Sequence, residues 1–201
     1  MQIIKQSEVN IEDLVNELKK GKVIVYPTET CYGLGCDATN QAAVKRLFAI
    51  KHREESKSVL VLMADAEMSK KYVQWTPALE KLARKYWPGP LTIVAKVINQ
   101  NTGLADGVLG KDNTIAFRIS NNNFASGLTK SLGRPLVSTS ANIAAQASPY
   151  DIESIIKMFG NANDKLDFII DGGTLPFCQP STMARVLDDK IEVLRQGEVK
   201  I

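Results

Sequence analysis

The sequence predicts one α/β domain built on a mixed, twisted sheet. Amphipathic helical patterns and short β-branched runs follow one another along the whole chain. The predicted strands cluster in pairs instead of alternating regularly with helices, which favours a mixed sheet over a doubly wound parallel one. At 201 residues, 44% hydrophobic and 23% charged, the chain has the size and composition of a single globular domain with a proper core.

The first half of the chain is predicted to contain three helices and three strands. The helices are expected over 10–20, from 40 to about 51, and over 76–87. Each begins at a residue that caps helices well, namely Asn10, Asn40 or Thr76. Short apolar runs predict strands over 22–27, 58–63 and 91–97. Residues 28–40, which contain Gly33 and Gly35, are interpreted as a loop.

The second half is predicted to be richer in strands. Helices are expected over 122–133, ended by Gly133, and over 149–160. The predicted strands are 114–120, 135–140, 166–173, 181–187 and 190–197. Polar loops rich in glycine and serine adjoin several strand ends, where α/β sheets tend to bind ligands.

Composition excludes several classes of protein. The net charge of +3 permits contact with RNA but is too small to indicate it. The three cysteines, Cys31, Cys36 and Cys178, form no C-x-x-C pair, and with one histidine a zinc site is not expected. No signal-peptide core and no apolar run of ~18 residues is present, so we expect a reducing, cytoplasmic location without a membrane span.

A cationic cluster lies between a predicted helix and a predicted strand. Lys51, Arg53 and Lys57 flank the only histidine, His52. Three cations against two glutamates give residues 51–57 a net charge of only +1. From composition alone the cluster is either an anion grip or an ordinary solvated helix end, and the second is the commoner case.

Two loops at strand ends contain small polar groups. "YPTETCYGLG" (26–35) could orient a polar ligand or form a plain turn, and its Gly-Leu-Gly lacks the dinucleotide-binding pattern. "VSTSAN" (137–142) could hold phosphate oxygens or simply cap a helix. No P-loop motif occurs anywhere in the chain.

Two arginines have open roles. Arg118 interrupts an apolar strand on the same face as Thr114, so it is either half-exposed or paired with a carboxylate. The second, Arg195, lies at the end of a strand beside a glycine and could face a phosphate or solvent.

The order of these blocks is more specific than any one of them. "VIVYPTETCYGLGCDA", "IKHREESKSVLVLM", "WPGPLTIV", "TIAFRIS", "PLVSTSAN" and "PSTMARV…LRQG" together resemble the YrdC-like family over roughly residues 10 to 200. Its best-known members are threonylcarbamoyl-AMP synthases. The chain is similar to the short, single-domain TsaC type, and we expect no additional C-terminal domain.

The resemblance implies a fold and a reaction. The expected fold is an open, twisted sheet around a large, positively lined cavity. The expected reaction joins L-threonine, bicarbonate or CO2, and ATP into threonylcarbamoyl-AMP and diphosphate, supplying the group that partner proteins place on adenosine 37 of tRNA. Mg²⁺ is expected to arrive with ATP, without a metal site in the protein and without a tightly bound organic cofactor.

The resemblance also implies site residues. Catalysis is expected from Lys51 and Arg53, which offset the repulsion between two anions. The residues expected around ATP are Lys51, Arg53, Lys57, Thr114, Ser140, Asn142, Ser148 and Arg195. Those expected around threonine are Thr30, Arg118, Ser138 and Ser181. No covalent nucleophile is expected.

This chain departs from the family pattern beside the cationic cluster. Glu54 stands where relatives have proline, Glu55 adds a second negative charge, and Leu62 stands where longer members often have histidine. Two alternative functions stay open: a module that binds tRNA or double-stranded RNA, which the resemblance to the family allows, and a paralogue of the same fold with lost or altered synthase activity, which the missing proline suggests.

Overall fold

The computed structural model describes residues 1–54, 56–99, 101–160 and 166–201. A short 3₁₀ helix over Gln6–Glu8 precedes the first α-helix. The helices are α1 (Ile11–Lys19), α2 (Gln41–Lys51), α3 (Ala66–Lys70), α4 (Pro77–Tyr86), α5 (Asn123–Leu132) and α6 (Ile152–Phe159). The strands are β1 (Gln2–Lys5), β2 (Ile24–Pro27), β3 (Tyr32–Gly35), β4 (Val61–Leu62), β5 (Leu91–Lys96), β6 (Thr114–Arg118), β7 (Leu136–Val137), β8 (Thr139–Ser140), β9 (Phe168–Asp171), β10 (Thr182–Leu187) and β11 (Lys190–Arg195).

These strands form two sheets, each of mixed direction. The first sheet has the order β1-β9-β2-β3-β8, and the second has the order β11-β10-β5-β6-β4-β7. In the first, β9 runs parallel to β1 and β2, while β3 runs antiparallel to its neighbours. In the second, the β5–β10 and β4–β6 pairs are parallel and the remaining pairs are antiparallel. The predicted mixed α/β class is confirmed, with its strands divided between two sheets.

The predicted helix caps are present. The side chains of Asn10, Asn40 and Thr76 each accept a hydrogen bond from a backbone N–H in the first turn of the following helix. At the C-terminal end of α5, Gly133 adopts a left-handed conformation with φ of 68°, which glycine reaches without steric cost. Local sequence therefore sets these helix boundaries.

Two apolar clusters form the core. Adjacent residues of β2 face opposite sides, because Ile24 packs in the cluster beneath α1 and α5 while Val25 packs in the larger cluster. The same division separates Val61 from Leu62 on β4. Burial on both faces explains why these strands read as continuous apolar runs.

Residues 28–40 were predicted as a loop, and this prediction is wrong for Tyr32–Gly35. These residues form β3, which pairs antiparallel with β2 in a hairpin. A Cβ on Gly35 would lie 2.4 Å from the Val137 carbonyl oxygen and 2.8 Å from Cε1 of Tyr26. Glycine here permits close packing inside a sheet, although the same residue type is also common in loops and turns.

The predicted strand 135–140 is divided between the two sheets. Leu136–Val137 pairs with β4 in the second sheet, and Thr139–Ser140 pairs with β3 in the first. The predicted strand 58–63 is shortened to Val61–Leu62. The sequence also missed the exposed edge strand β1 and the short helix α3, because elements of four or five residues show too little periodicity.

Candidate functional site

A cavity of about 650 Å³ is lined by residues from both sheets. The second sheet contributes alternate residues of β6, Thr114, Ala116 and Arg118, which share one face of the strand as the spacing predicted. The first sheet contributes Gly33 from β3 and Ser140 from β8. This volume is within the range of pockets that enclose a small-molecule ligand.

Ten of the twelve predicted site residues line this cavity. They are Thr30, Arg53, Lys57, Thr114, Arg118, Ser138, Ser140, Ser148, Ser181 and Arg195. The two others, Lys51 and Asn142, are buried beside the β8 loop and do not reach the cavity wall. The fold therefore brings together residues that are widely separated in sequence.

Lys51 ends α2 and is 3% exposed. Its ammonium donates hydrogen bonds to the Ser140 carbonyl oxygen at 2.5 Å and to both the carbonyl oxygen and Oδ1 of Asn142 at 2.8 Å. All three ammonium protons have partners. Burial, with a contribution from Arg53, lowers the Lys51 pKa to about 8. The side chain anchors the loop that presents Ser140.

The Asn142 carboxamide completes this anchor. Besides its contact with Lys51, Asn142 Oδ1 accepts a hydrogen bond from Ser140 Oγ at 2.5 Å. Its Nδ2 donates to the Gln146 carbonyl oxygen. Both ends of the carboxamide are occupied within the protein, so Asn142 fixes the conformation of residues 140–146.

Arg53 and Lys57 lie on the cavity wall beyond the end of α2. Arg53 donates to the carbonyl oxygens of Lys57 and Ser58, each at 2.9 Å. Lys57 Nζ lies 3.1 Å from Glu54 Oε1, and these two side chains are 62% and 68% exposed. His52 terminates the helix in a left-handed conformation with φ of 50°. Glu55, the second predicted negative charge, lies outside the described residues.

At another part of the wall, Arg118 is 3% exposed and pairs with Glu29. Arg118 Nε lies 3.3 Å from Glu29 Oε1, and the hydroxyl of Ser120 donates to Glu29 Oε2. Of the two alternatives for Arg118, the structure has the paired one. Sequence reasoning missed Glu29, although a carboxylate between two threonines was a usable signal for the partner of a strand-interior arginine.

Ser181 and Arg195 form a hydroxyl–guanidinium group beside Arg118. Ser181 Oγ is 2.8 Å from Thr92 Oγ1, and Arg195 donates to the Ser181 carbonyl oxygen at 2.8 Å. Burial, followed by the positive charge of Arg118, lowers the Arg195 pKa. The two guanidinium groups therefore act on each other electrostatically.

The β2–β3 hairpin presents hydroxyls to the cavity. Thr28 Oγ1 lies 3.1 Å from Thr30 Oγ1 and donates to the Cys31 carbonyl oxygen at 2.6 Å. A Cβ on Gly33 would meet Ser138 Oγ at 3.3 Å. Glycine at position 33 thus lets the Ser138 hydroxyl lie against the hairpin.

The sequence missed three charged residues of the cavity wall, Lys111, Asp112 and Arg185. Thr114 Oγ1 donates to Asp112 Oδ1 at 2.6 Å, and this hydrogen bond lowers the Asp112 pKa. The charged lining residues are therefore the cations Arg53, Lys57, Lys111, Arg118, Arg185 and Arg195 and the anion Asp112. Loop 110–113 offered no periodic pattern from which this placement could be inferred.

Two thiols of the cavity wall are not activated. Burial raises the pKa of Cys31, and burial together with Glu198 raises that of Cys178 to about 11. Thiols are nucleophilic as thiolates, so neither has the character of a catalytic cysteine at neutral pH. Among the described residues, no group of three His, Cys, Asp or Glu side chains could hold a metal ion.

Comparison with known proteins identifies the family. The model of the Sua5/YciO/YrdC family, described as "Telomere recombination", matches residues 16–197. The chain belongs to this family.

Individual relatives agree with this assignment. A threonylcarbamoyl-AMP synthase of Vibrio vulnificus is 33% identical over 94% of this chain and 98% of its own length. The structure of P. abyssi Sua5 in complex with L-threonine superposes with a TM-score of 0.81 at 29% identity; it covers 98% of this chain, which spans only 56% of that Sua5. E. coli YciO has the same TM-score at 27% identity, covering 98% of this chain and 94% of its own.

Proposed function

We propose that the protein is an L-threonylcarbamoyladenylate synthase, a nucleotidyl-transferring enzyme. The observation that carries this proposal is the cavity, where hydroxyls, a buried arginine and several further cations converge from distant parts of the chain. The relatives named threonylcarbamoyl-AMP synthase and the threonine complex of Sua5 support the same assignment. No second function has an observation of comparable weight.

The reaction requires two anions to approach each other. The amine nitrogen of threonine attacks the carbon of CO2 and loses a proton, giving a carbamate. A carbamate oxygen then attacks the α-phosphorus of ATP, and the bond to the β,γ-phosphates breaks to release diphosphate. Fixed cations offset the repulsion in this step, and the cavity holds both reactants in contact. No covalent enzyme intermediate is needed.

Threonine is proposed to bind at the Arg118 end. The guanidinium suits the substrate carboxylate, and the hydroxyls of Thr30, Ser138 and Ser181 suit its amine and side-chain hydroxyl. A site that hydrogen-bonds the hydroxyl should reject valine ~10⁴-fold, whereas serine, which lacks only a methyl group, should be rejected roughly 10–200-fold. Diphosphate release measured with each amino acid tests this, and equal use of valine would contradict the assignment.

ATP is proposed to bind toward Arg53 and Lys57, with Thr114, Ser140, Ser148 and Arg195 contributing further contacts. Lys51 and Asn142 would not contact ATP themselves; they would hold the loop that carries Ser140 in place. Mg²⁺ belongs to the nucleotide substrate in this proposal. Among the described residues that line the cavity, Asp112 is the carboxylate that could contact this Mg²⁺ ion, and its lowered pKa keeps it ionised.

The decisive test is diphosphate release with each substrate omitted in turn. We expect release only when ATP, threonine and bicarbonate are all present, and formation of threonylcarbamoyl-AMP in the same samples. Release that continues without threonine or without bicarbonate would contradict the proposed reaction. A fold-retaining paralogue with another activity is the expected explanation of that outcome.

The product is proposed to pass to downstream proteins that modify tRNA in the cytoplasm. The three cysteines are unpaired thiols, which agrees with a reducing compartment. Among the described residues, none of the helices has the length and apolar character to cross a membrane. Direct binding of tRNA or double-stranded RNA is the competing hypothesis; it predicts tight binding that weakens steeply with salt, measurable by fluorescence anisotropy.

A further inference from the structure

Glu29 is a mostly buried carboxylate to which the proposed reaction assigns no role. It lies in the turn between β2 and β3, and its side chain is 12% exposed. Its Oε1 lies 3.3 Å from Arg118 Nε, and its Oε2 accepts a hydrogen bond from Ser120. Both carboxylate oxygens therefore face residues at or just beyond the end of β6.

The contact between Glu29 and Arg118 is an ion pair without a directional hydrogen bond. Glu29 Oε1 and Arg118 Nε are both buried, and neither has a hydrogen-bond partner among the described residues. At 3.3 Å the two atoms are close enough for the charge contact, but the N–H of Arg118 Nε is not directed at the carboxylate oxygen. Charge attraction and packing thus hold the guanidinium, so its direction depends on where the carboxylate sits.

Arg118 shares the cavity wall with a second arginine, Arg195, which makes a counter-charge more important. The positive charge of Arg118 contributes to lowering the Arg195 pKa, and both arginines line the cavity. Without Glu29, Arg118 would be a buried cation that has lost its ion-pair partner while sharing the cavity wall with the positive charge of Arg195.

Glu29 does not itself line the cavity, although Thr28, Thr30 and Arg118 do. Its neighbour Ser120 also accepts a hydrogen bond from the Asn122 backbone N–H at 3.1 Å, at the residue that caps α5. The Glu29 carboxylate is therefore held, on the side away from the cavity, by Ser120, which links the end of β6 to the start of α5.

We infer that Glu29 is a positioning residue for Arg118, which it holds in the direction needed to receive the carboxylate of the amino-acid substrate. This role rests on the proposed function, because it assumes that Arg118 binds that carboxylate. It assigns Glu29 to the affinity for threonine and not to nucleotide binding or to the chemical step.

The variant Glu29→Gln tests this role, because glutamine keeps the size and an acceptor for Ser120 but removes the charge. We expect the KM for threonine to rise ~10–50-fold, with kcat and the KM for ATP changed less than about threefold. Glu29→Asp retains the charge and should recover most of the threonine affinity. An unchanged threonine KM in Glu29→Gln, or no recovery in Glu29→Asp, would overturn the assignment.

A matched control separates positioning from loss of structure. Asp37→Asn removes another buried carboxylate that pairs with an arginine, Arg134, at 3.1 Å, and neither residue lines the cavity. It should lower the melting temperature without changing the threonine KM. If Glu29→Gln does not fold, Ser120→Ala loosens the carboxylate without removing it, and should raise the threonine KM by about two- to fivefold. No change in Ser120→Ala would then count against the role.

The wild-type protein separates failure of this role from failure of the proposed function. If it neither binds threonine in calorimetry nor releases diphosphate with it, the proposed function fails. The pairing is then read from the side-chain NMR signal of Arg118 Nε–H, which should move in Glu29→Gln and return toward its position in Glu29→Asp. A signal insensitive to both changes would show that Glu29 does not hold Arg118.

Discussion

Two cations of the cavity wall, Arg118 and Lys57, belong to ion pairs of opposite character. Arg118 and Glu29 are 4% and 12% exposed in their side chains, whereas Lys57 and Glu54 are 62% and 68% exposed. Water and salt screen the second pair but hardly reach the first. We call the part of the cavity at Arg118 the buried end and the part at Arg53 and Lys57 the open end. The buried end can hold one small ligand in a fixed geometry, while the open end can adjust to a flexible triphosphate.

The difference predicts that substitutions at the buried end are the more costly. Removing one member of a buried ion pair leaves an uncompensated charge, which typically costs about 3–5 kcal/mol of stability. Exposed pairs contribute roughly 0–1 kcal/mol.

Arg118→Ala should have the largest effect. We expect kcat/KM for threonine to fall ~10²–10³-fold, because Arg118 is the proposed partner of the substrate carboxylate. The free energy of unfolding should fall by about 3–5 kcal/mol because Glu29 stays buried and unpaired. Enzyme kinetics and urea denaturation measure the two effects.

A double variant sharpens the interpretation of Arg118. Replacing both members by leucine should restore much of the unfolding free energy, because an apolar pair needs no counter-charge. It should restore none of the activity. Recovery of activity in the double variant would mean that the pair serves stability alone.

Lys51 should give ATP binding a pH dependence. Its pKa of about 8 keeps the ammonium charged at pH 7 and leaves it mostly neutral at pH 9. A neutral amine donates two hydrogen bonds instead of three, so the loop carrying Ser140 loosens. We expect ATP affinity, measured by calorimetry, to fall roughly tenfold between these pH values, and to be low and flat in Lys51→Met.

Titration of Lys51 does not itself destabilise the fold at high pH. The unfolded chain, where a lysine titrates near 10.5, binds more protons than the folded chain between pH 8 and 10.5. Through Lys51 alone, the free energy of unfolding therefore rises with pH in this window. ATP affinity that stays constant from pH 7 to 9 would contradict the anchoring role of Lys51.

Glu54→Gln should have the smallest effect and the opposite sign. Removing this carboxylate frees Lys57 for phosphate, so ATP should bind about two- to fivefold more tightly at low salt, with the gain lost at high salt. Glu67→Gln is the matched control: it removes an exposed pair of the same spacing, with Lys70 at 2.7 Å, and neither residue lines the cavity. Weaker ATP binding in Glu54→Gln would contradict this view of the open end.

The sequence predicted the helices better than the strands. Caps such as Asn40 and Gly133 act locally, so their effect is visible in sequence. The hairpin strand β3 and the division of 135–140 between two sheets depend on contacts with distant residues, such as that of Gly35 with Val137. Such contacts have no local signature.

A place in the cavity wall was predictable where residue type and order are characteristic of the family, as for Arg53, Arg118 and Ser181. A residue's role was not predictable where it depends on which way the side chain points. The sequence could not indicate that Lys51 points at the Asn142 loop, or that Glu29 pairs with Arg118. Lys111 and Arg185 line the cavity only because the fold brings their segments to its wall, and no local sequence pattern indicates this.

The most direct test is a crystal structure with L-threonine and a non-hydrolysable ATP analogue bound together. We expect the threonine carboxylate within hydrogen-bond distance of Arg118, and Glu29 still in contact with the same arginine. The phosphates should lie toward Arg53 and Lys57, whose pair with Glu54 should be open. Threonine bound away from Arg118, or phosphates that contact Arg118 in place of the threonine carboxylate, would contradict the division of the cavity into a buried amino-acid end and an open nucleotide end.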